Sequence, residues 1–478
     1  MKKLVTGAFV VLSASFALAQ SGVNNVNQTG ESNSTNVTQS SNGSNAGNEN
    51  KTVQDGTGNI VDVKQKSYSG KNSVDTKQIG NDNKATVSQG QGSSVSEGNV
   101  VNQIQLNNGN TAFATQTSTI SDVIEQKQDG DLNTVTATQG DAYFSTIRQD
   151  QKGNSNTANA TQGLLMGSWS DNSLINQVQV GDSNTAKGEQ SGRGSYNNIN
   201  QIQTGEFNTA SASQVGNSHT SVQNQAGEYN NATVLQNGSY QSANQTQAGT
   251  GNIATSTQSV SHNGATQSQS GIDNEATVSQ SGSYNTSTQT QSQNYNNAFI
   301  TQTGNRNIAT QIQDGTNNLA TTTQNGHNND SKISQNGSNN VGTASQTNAY
   351  NASDISQVGS GNTATSTQTG NGTALANNTI GMKQFGEGNT STALQSGGYG
   401  NNAAINQYGN LNLSTADQFG DNNSAIVNQG TALMHVASNE SSILQNGTGN
   451  MASVNQMSNG NRHTSSQVGS FNTVIVNQ

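Results

Sequence analysis

The sequence predicts an all-β fold. It is a β-solenoid of stacked 22-residue strand-turn-strand coils that form two facing parallel in-register sheets, a cross-β, amyloid-like arrangement. Three observations predict it. Gln recurs every eleven residues without a miss, at Gln203, Gln214, Gln225, Gln236, Gln247, Gln258, Gln269, Gln280, Gln291, Gln302, Gln313, Gln324, Gln335, Gln346, Gln357 and Gln368. A second row recurs at twice that step, at Gln201, Gln223, Gln245, Gln267, Gln289 and Gln311, so the unit is 22 residues built from two similar halves. The chain has no Pro, the residue that cannot donate to a strand ladder. A fixed period in this range marks a solenoid or a stacked array.

Each half-unit reads Gln-x-Gly-x-x-Asn-x-Ala-x-x-x-Gln, as between Gln313 and Gln324. Residues two apart on a strand share a face. Asn318, Ala320, Thr322 and Gln324 therefore point one way, and Leu319, Thr321 and Thr323 the other. The face that repeats is read as the inner one, which also places Asn252, Ala254, Asn362 and Ala364 inside. Small Ala lets two sheets approach closely. Buried Asn and Gln are costly when unpaired, but stacked in register, at a rung spacing of about 4.8 Å, each amide donates to its copy one rung away. The ladder is thus the expected self-assembly element. Turn signals follow the ladder Gln, as in Asn237-Gly238, Asp314-Gly315, Asn325-Gly326 and Asn336-Gly337. Asn-Gly and Asp-Gly accept the positive backbone angles of tight turns.

Hydrophobic residues make up 28% of the chain and charged residues 9%. This is too little apolar surface for an ordinary core and too little charge for a charge-extended disordered chain. The net charge of −10 offers no basic face for nucleic acid. With no Cys there are neither disulfides nor thiolate metal sites.

Lys2 and Lys3, the apolar run over residues 4–16 and Ala17-Leu18-Ala19 read as a signal peptide over 1–19, cut between Ala19 and Gln20. A short leader occupies 20–27. No other stretch is long and apolar enough to span a bilayer, so no membrane insertion is expected. Looser repeats fill 28–202, with an apolar insertion at 163–176 that carries the only Trp, Trp169. Regular repeats fill 203–368. Repeats with interruptions at 369–383 and 430–444 fill 369–478. Gln478 is in phase with the ladder and no polar capping element follows it; an uncapped strand edge is a template for another chain.

Catalytic chemistry is not expected. His219, His262, His327, His435 and His463 fall far apart and at different repeat phases, with His219 in an Asn slot, so they give no metal site. No nucleophile elbow, phosphate loop or zincin motif occurs, and no cofactor is implied. Thr-x-Thr segments such as Thr255 to Thr257 and Thr365 to Thr367 motivate an alternative, a monomeric β-solenoid surface adhesin or ice- or glycan-binding module. A flat binding array needs such pairs on every coil, and here they are irregular.

The half-unit resembles the curlin repeat of bacterial curli subunits. Intact copies lie between Gln151 and Gln162 (Gly153, Asn156, Ala158), between Gln247 and Gln258 (Gly249, Asn252, Ala254) and between Gln418 and Gln429 (Gly420, Asn423, Ala425). The resemblance implies a secreted subunit that polymerises with itself into extracellular functional amyloid supporting biofilm matrix, adhesion and surface colonisation. It also implies a nucleator subunit and an outer-membrane secretion pore as partners. The chain departs from the family in carrying Asn where family repeats often open with Ser, as at Asn296, and in having many more repeats and a shorter leader.

Overall fold

The structure, a computed structural model, describes residues 22–41, 47–67, 71–90, 96–163, 170–192 and 194–478. The expected signal peptide, with its cleavage point at Ala19 and Gln20, lies outside the described residues, as do 164–169 of the apolar insertion, Trp169 among them. The chain divides into two units, Met1–Tyr240 and Gln241–Gln478. The gain in regularity expected at residue 203 therefore falls inside the first unit.

Each unit is a parallel β-solenoid with two facing sheets. The chain lays one strand in the first sheet, turns a corner, lays one in the second, and turns back. In the second sheet of the second unit Ile253–Ser261 pairs in parallel with Glu275–Ser283, and that strand with Asn297–Asn305. On the facing sheet Gly264–Ile272 pairs with Thr286–Ser292, and that strand with Ile308–Thr316. Like falls on like: Gln258, Gln280 and Gln302 align in one sheet, and Gln269, Gln291 and Gln313 in the other. The eleven-residue row of the sequence is thus two rows, whose members alternate between the sheets.

Period-two alternation makes these segments strands. In Asn297–Asn305 the positions Ala298, Ile300 and Gln302 are buried while Phe299, Thr301 and Thr303 are not. The outward rows are rich in Thr and Ser, and β-branched Thr suits a pleated, half-exposed surface. The core between the sheets is narrow. Ala265 and Ala309 of the first sheet meet Val278 and Ile300 of the second. Farther along the same unit Ile333, Ile355, Met382, Ile405 and Ile443 fill the equivalent space.

The first unit reaches the same register with an uneven sequence. Gln54, Gln78, Gln105, Gln128, Gln151, Gln179, Gln203 and Gln225 lie opposite one another in turn. Their spacing nevertheless varies from 22 to 28 residues. All the extra length falls in the corner from the second sheet back to the first. There Ala142–Tyr143, Ser170–Asp171 and Gly194–Ser195 pair as a narrow third sheet. The opposite corner keeps one length, as from Gln54 to Asn59, Gln128 to Asn133 and Gln203 to Asn208.

The corners are not the tight turns expected at the Asn-Gly and Asp-Gly pairs. Gly337 has φ 122°, yet the strand Asp330–Ser338 runs through it, and the chain swings to the facing sheet at Asn339, φ 56°. A two-residue hairpin turn would return the chain antiparallel beside the strand it left. Here consecutive strands lie in different sheets, so the bend is spread over two left-handed positions. Gly is needed at the first of them because a Cβ on Gly337 would strike the carbonyl oxygen of Gly359 in the next coil.

The interruptions are also shorter than the sequence reading has them. The strand Asn378–Glu387 begins inside 369–383, Glu440–Thr448 inside 430–444, and Leu174–Val180 inside 163–176. In each, an Ile or Met takes an inward place: Ile380 and Met382, Ile443, and Ile175 are all buried. The Gln-x-Gly-x-x-Asn-x-Ala signature is lost there while the two-residue alternation continues.

Candidate functional site

Within each unit the structure places the predicted ladder Gln residues, sixteen in all, in rows of side-chain amides. In the second unit Gln247 Nε2 donates to Gln269 Oε1 at 2.9 Å, Gln269 to Gln291 at 2.8 Å, Gln291 to Gln313 at 2.9 Å, Gln313 to Gln335 at 2.9 Å and Gln335 to Gln357 at 2.8 Å. On the facing sheet the row runs from Gln258 to Gln280, Gln302, Gln324, Gln346 and Gln368 at 2.8–2.9 Å. In the first unit Gln203 donates to Gln225 at 2.8 Å and Gln214 to Gln236 at 2.9 Å.

A carboxamide has two N–H donors, and the second one crosses the core. Gln313 Nε2 also donates to the carbonyl of Asn297 at 2.9 Å, and Gln302 Nε2 to that of Thr286 at 3.1 Å. Each acceptor opens a strand of the facing sheet. One amide therefore ties coil to coil and sheet to sheet. The sequence reading missed this cross-sheet bond, because nothing in a spacing reveals it.

The inward Asn residues form a second kind of row at the corners. Asn318 N and Nδ2 both donate to Asn296 Oδ1, at 3.1 and 3.0 Å, and Nδ2 reaches the carbonyl of Gly337 at 2.9 Å. Asn252 Oδ1 accepts from Asn274, and Asn362 N donates to Asn340 Oδ1 at 3.1 Å. Gln rows donate toward higher residue numbers and Asn rows toward lower ones, so their amide dipoles oppose. Ala254, Ala320 and Ala364 are fully buried between these rows.

A third row sits two residues before the ladder Gln. Gln245, Gln267, Gln289 and Gln311 bond in sequence at 2.8–3.0 Å. It stops where Ile333 follows, and Gln311 turns instead to Thr322 Oγ1 at 3.2 Å. In the first unit the same row runs Gln103, Gln126, Gln149, Gln177, Gln201 and Gln223 at 2.7–2.9 Å. Uneven coil lengths hid its earlier members from the sequence reading.

Two titratable groups stand in the Asn rows, both fully buried. His219 N donates to Asn197 Oδ1 at 3.0 Å and its Nε2 meets the carbonyl of Val215 at 3.1 Å. Burial lowers its pKa below the ordinary 6.5, against the raising effect of its carbonyl contacts with Val215 and Gly238. Asp122 is the other; burial pushes its carboxyl up to about 8. The signal that finds both is position, since each lies six residues before a ladder Gln, Gln225 and Gln128. Among the described residues no three His, Cys, Asp or Glu side chains gather as metal ligands. Among them, too, no helix is long and apolar enough to cross a membrane.

The arrangement repeats one interaction instead of assembling a reaction centre. An unpaired buried amide costs about 1–3 kcal/mol, so every rung is stable only while another rung covers it. The family described as the curlin associated repeat matches residues 398–430. Those residues contain the rungs Gln407, which donates to Gln429 at 2.9 Å, and Gln418, which accepts from Gln395 at 2.8 Å. No curated protein matches the chain. The matched repeat is built like the coils on either side of it, so that stretch is similar to the curlin associated repeat.

Proposed function

We propose that the chain is a secreted structural subunit that assembles with copies of itself into extracellular curli-like amyloid fibres. One observation carries this reading. Each coil offers the next the same rows it receives, Gln on Gln and Asn on Asn, as in the register of Glu275–Ser283 on Asn297–Asn305. A coil edge of this kind is complementary to a copy of itself. The bonds that join coils within a chain thus serve equally to join chains. The match to the curlin associated repeat supports the rest of the reading: a curli-type structural role without catalysis, export through the periplasm after removal of the signal peptide, and a cell-surface fibre serving biofilm matrix, adhesion and colonisation. A nucleator subunit and an outer-membrane secretion pore complete it as partners.

Purified chain lacking residues 1–19 tests the core of the reading. It is expected to form thioflavin-binding fibres with a meridional reflection at about 4.7–4.8 Å. A chain that stays monomeric and soluble in mild buffer would contradict it.

A further inference from the structure

Asp122 immediately precedes the strand Val123–Asp129 and holds the place that Asn99 holds one coil earlier. The row runs Asn72, Asn99, Asp122, Ser145, Ser173 and Asn197. Asn99 Oδ1 accepts the main-chain N–H of Asp122 at 3.1 Å, and Asp122 Oδ1 accepts that of Ser145 at 2.8 Å. The two Oδ1 atoms are therefore equivalent. The other polar atom of Asn99, Nδ2, donates to the carbonyl of Thr119 in the next coil at 2.9 Å. Its counterpart on Asp122 is Oδ2, which is buried and has no hydrogen-bond partner among the described residues. An ionised carboxylate can only accept, whereas a protonated one carries an O–H donor. The matching contact in the row is a donation to a main-chain carbonyl, which only the protonated acid can make.

We propose that Asp122 is a proton-operated rung: closing its coil places one proton on the carboxyl, which then stands in for the Asn amide, and losing that proton loosens the first unit at this point. Burial favours the neutral acid, the hydrogen bond from the Ser145 main chain opposes it, and the nearby charge of Asp171 reinforces it. The rung neighbours Asn99 and Ser145 are uncharged. Glu125, Lys127, Asp129, Arg148 and Asp150 occupy the outward alternate positions of the strand that follows Asp122 and of its next neighbour, where Glu125 pairs with Arg148 and Lys127 with Asp150, while the preceding strand Val100–Leu106 carries no charge. The corner beside it adds Glu97, Asp141 and Tyr143. Asp171 belongs to the coil of Ser173, two rungs on.

The folded carboxyl keeps its proton to a higher pH than the unfolded one. The stabilisation is therefore complete below the ordinary value of 3.8, declines as pH rises, and is lost above about 8. Fibre formation is not involved, because both readouts below report on a single folded chain.

Infrared spectra of the folded full chain at about pH 6, where exposed carboxylates are ionised, provide the first test. The expected result is a protonated-carboxyl carbonyl band that vanishes as the pH passes about 8 and that Asp122→Asn lacks. Hydrogen exchange provides the second. The protection factor of the Ser145 amide should fall as pH rises through this window, approaching about tenfold per pH unit, the slope of one proton. It should stay flat in Asp122→Asn. Asp122→Ser, the residue type the next two rungs already carry, repeats the test should the Asn variant fail to fold. An identical band, or an identical slope, in the variants would overturn the proposal.

Discussion

The two units build the same coil from sequences of different discipline. In the second, the first-sheet Gln row advances by 22 residues at every step from Gln247 to Gln357, and only beyond it do steps of 23 and 27 occur. In the first, the corresponding steps vary from 22 to 28, yet each Gln still lands on a Gln. Register is thus enforced by the inward rows and not by spacing. The corners show how. At the corner of fixed length in the first unit the Asn row is unbroken, through Asn59, Asn83, Asn110, Asn133, Asn156, Asn184, Asn208 and Asn230. At the corner of variable length Asp122, Ser145, Ser173 and His219 replace Asn. A short corner lets the Asn amide reach back to the carbonyl four residues before it, as Asn110 does to Leu106 at 2.8 Å and Asn296 to Ser292 at 2.9 Å. At the variable corner the same carbonyl, that of the residue after the ladder Gln, is reached across a longer stretch, as Asn72 does to Lys66 at 3.4 Å and Asn48 to Ser40 at 3.2 Å, and in several coils another side chain takes the place.

The largest expected effect breaks the fixed corner outright. Gly337→Ala forces a Cβ against the Gly359 carbonyl at φ 122° and should destabilise the second unit by about 3 kcal/mol. Gly264→Ala meets nothing within 4 Å and should be neutral or mildly stabilising, by about 0.4–1 kcal/mol. Local hydrogen exchange of both variants checks the contrast.

A buried rung comes next. Gln313→Leu removes the donor to Gln335 and to the Asn297 carbonyl and should cost about 1–3 kcal/mol. Thr321→Lys, on the outward face, should change stability by less than about 0.5 kcal/mol. Denaturant titration of both variants tests the assignment of faces, and equal losses would reverse it. The corner comparison sharpens the same point. Asn156→Ser at the fixed corner should lose about 1–2 kcal/mol more than Asn197→Ser at the variable one, where Ser173 already serves as the preceding rung.

His219 predicts a pH effect in the first unit, opposite in sign to that of Asp122. Its folded pKa lies below the unfolded 6.5. Its stabilisation is therefore present above that value and is lost as pH falls through the folded pKa. Protection of the His219 amide should fall on acidification, and His219→Asn should abolish the dependence. In the second unit His463 lies opposite the buried Ser441, and burial lowers its pKa as well, so a dependence of the same sign is expected there.

The smallest effect is on the outer face. Six of the seven ion pairs among the described residues lie in the first unit, including Arg148 with Glu125 at 2.8 Å. Both partners are exposed, so Arg148→Ala should cost about 0.2–1 kcal/mol and less in high salt.

Where the corners have one length, the fold is legible in the sequence, because period eleven and period two then agree. The rows through Gln203 and Gln368 and the inward Asn318 and Ala320 follow from that agreement. The row Gln103, Gln126, Gln149 and Gln177 does not, since corner insertions shift its members by different amounts. The strand Asn378–Glu387 escaped for another reason, as Ile380 and Met382 carry the inward pattern without the polar signature. The bonds from Gln Nε2 to carbonyls of the facing sheet depend on how closely the sheets approach, which spacing along one chain does not encode. The exceptional rungs Asp122 and His219 are readable only once the ladder Gln has fixed the frame from which to count back.

In the proposed fibre one amide interaction serves both within and between chains. Fibres grown from an equal mixture of nitrogen-labelled and carbon-labelled chains test it most directly by solid-state NMR. Close contacts are expected between the side-chain amide nitrogen of Gln in one chain and the side-chain carboxamide carbon of Gln in another. Fibres without such contacts between chains, or a chain that forms no fibres, would contradict it.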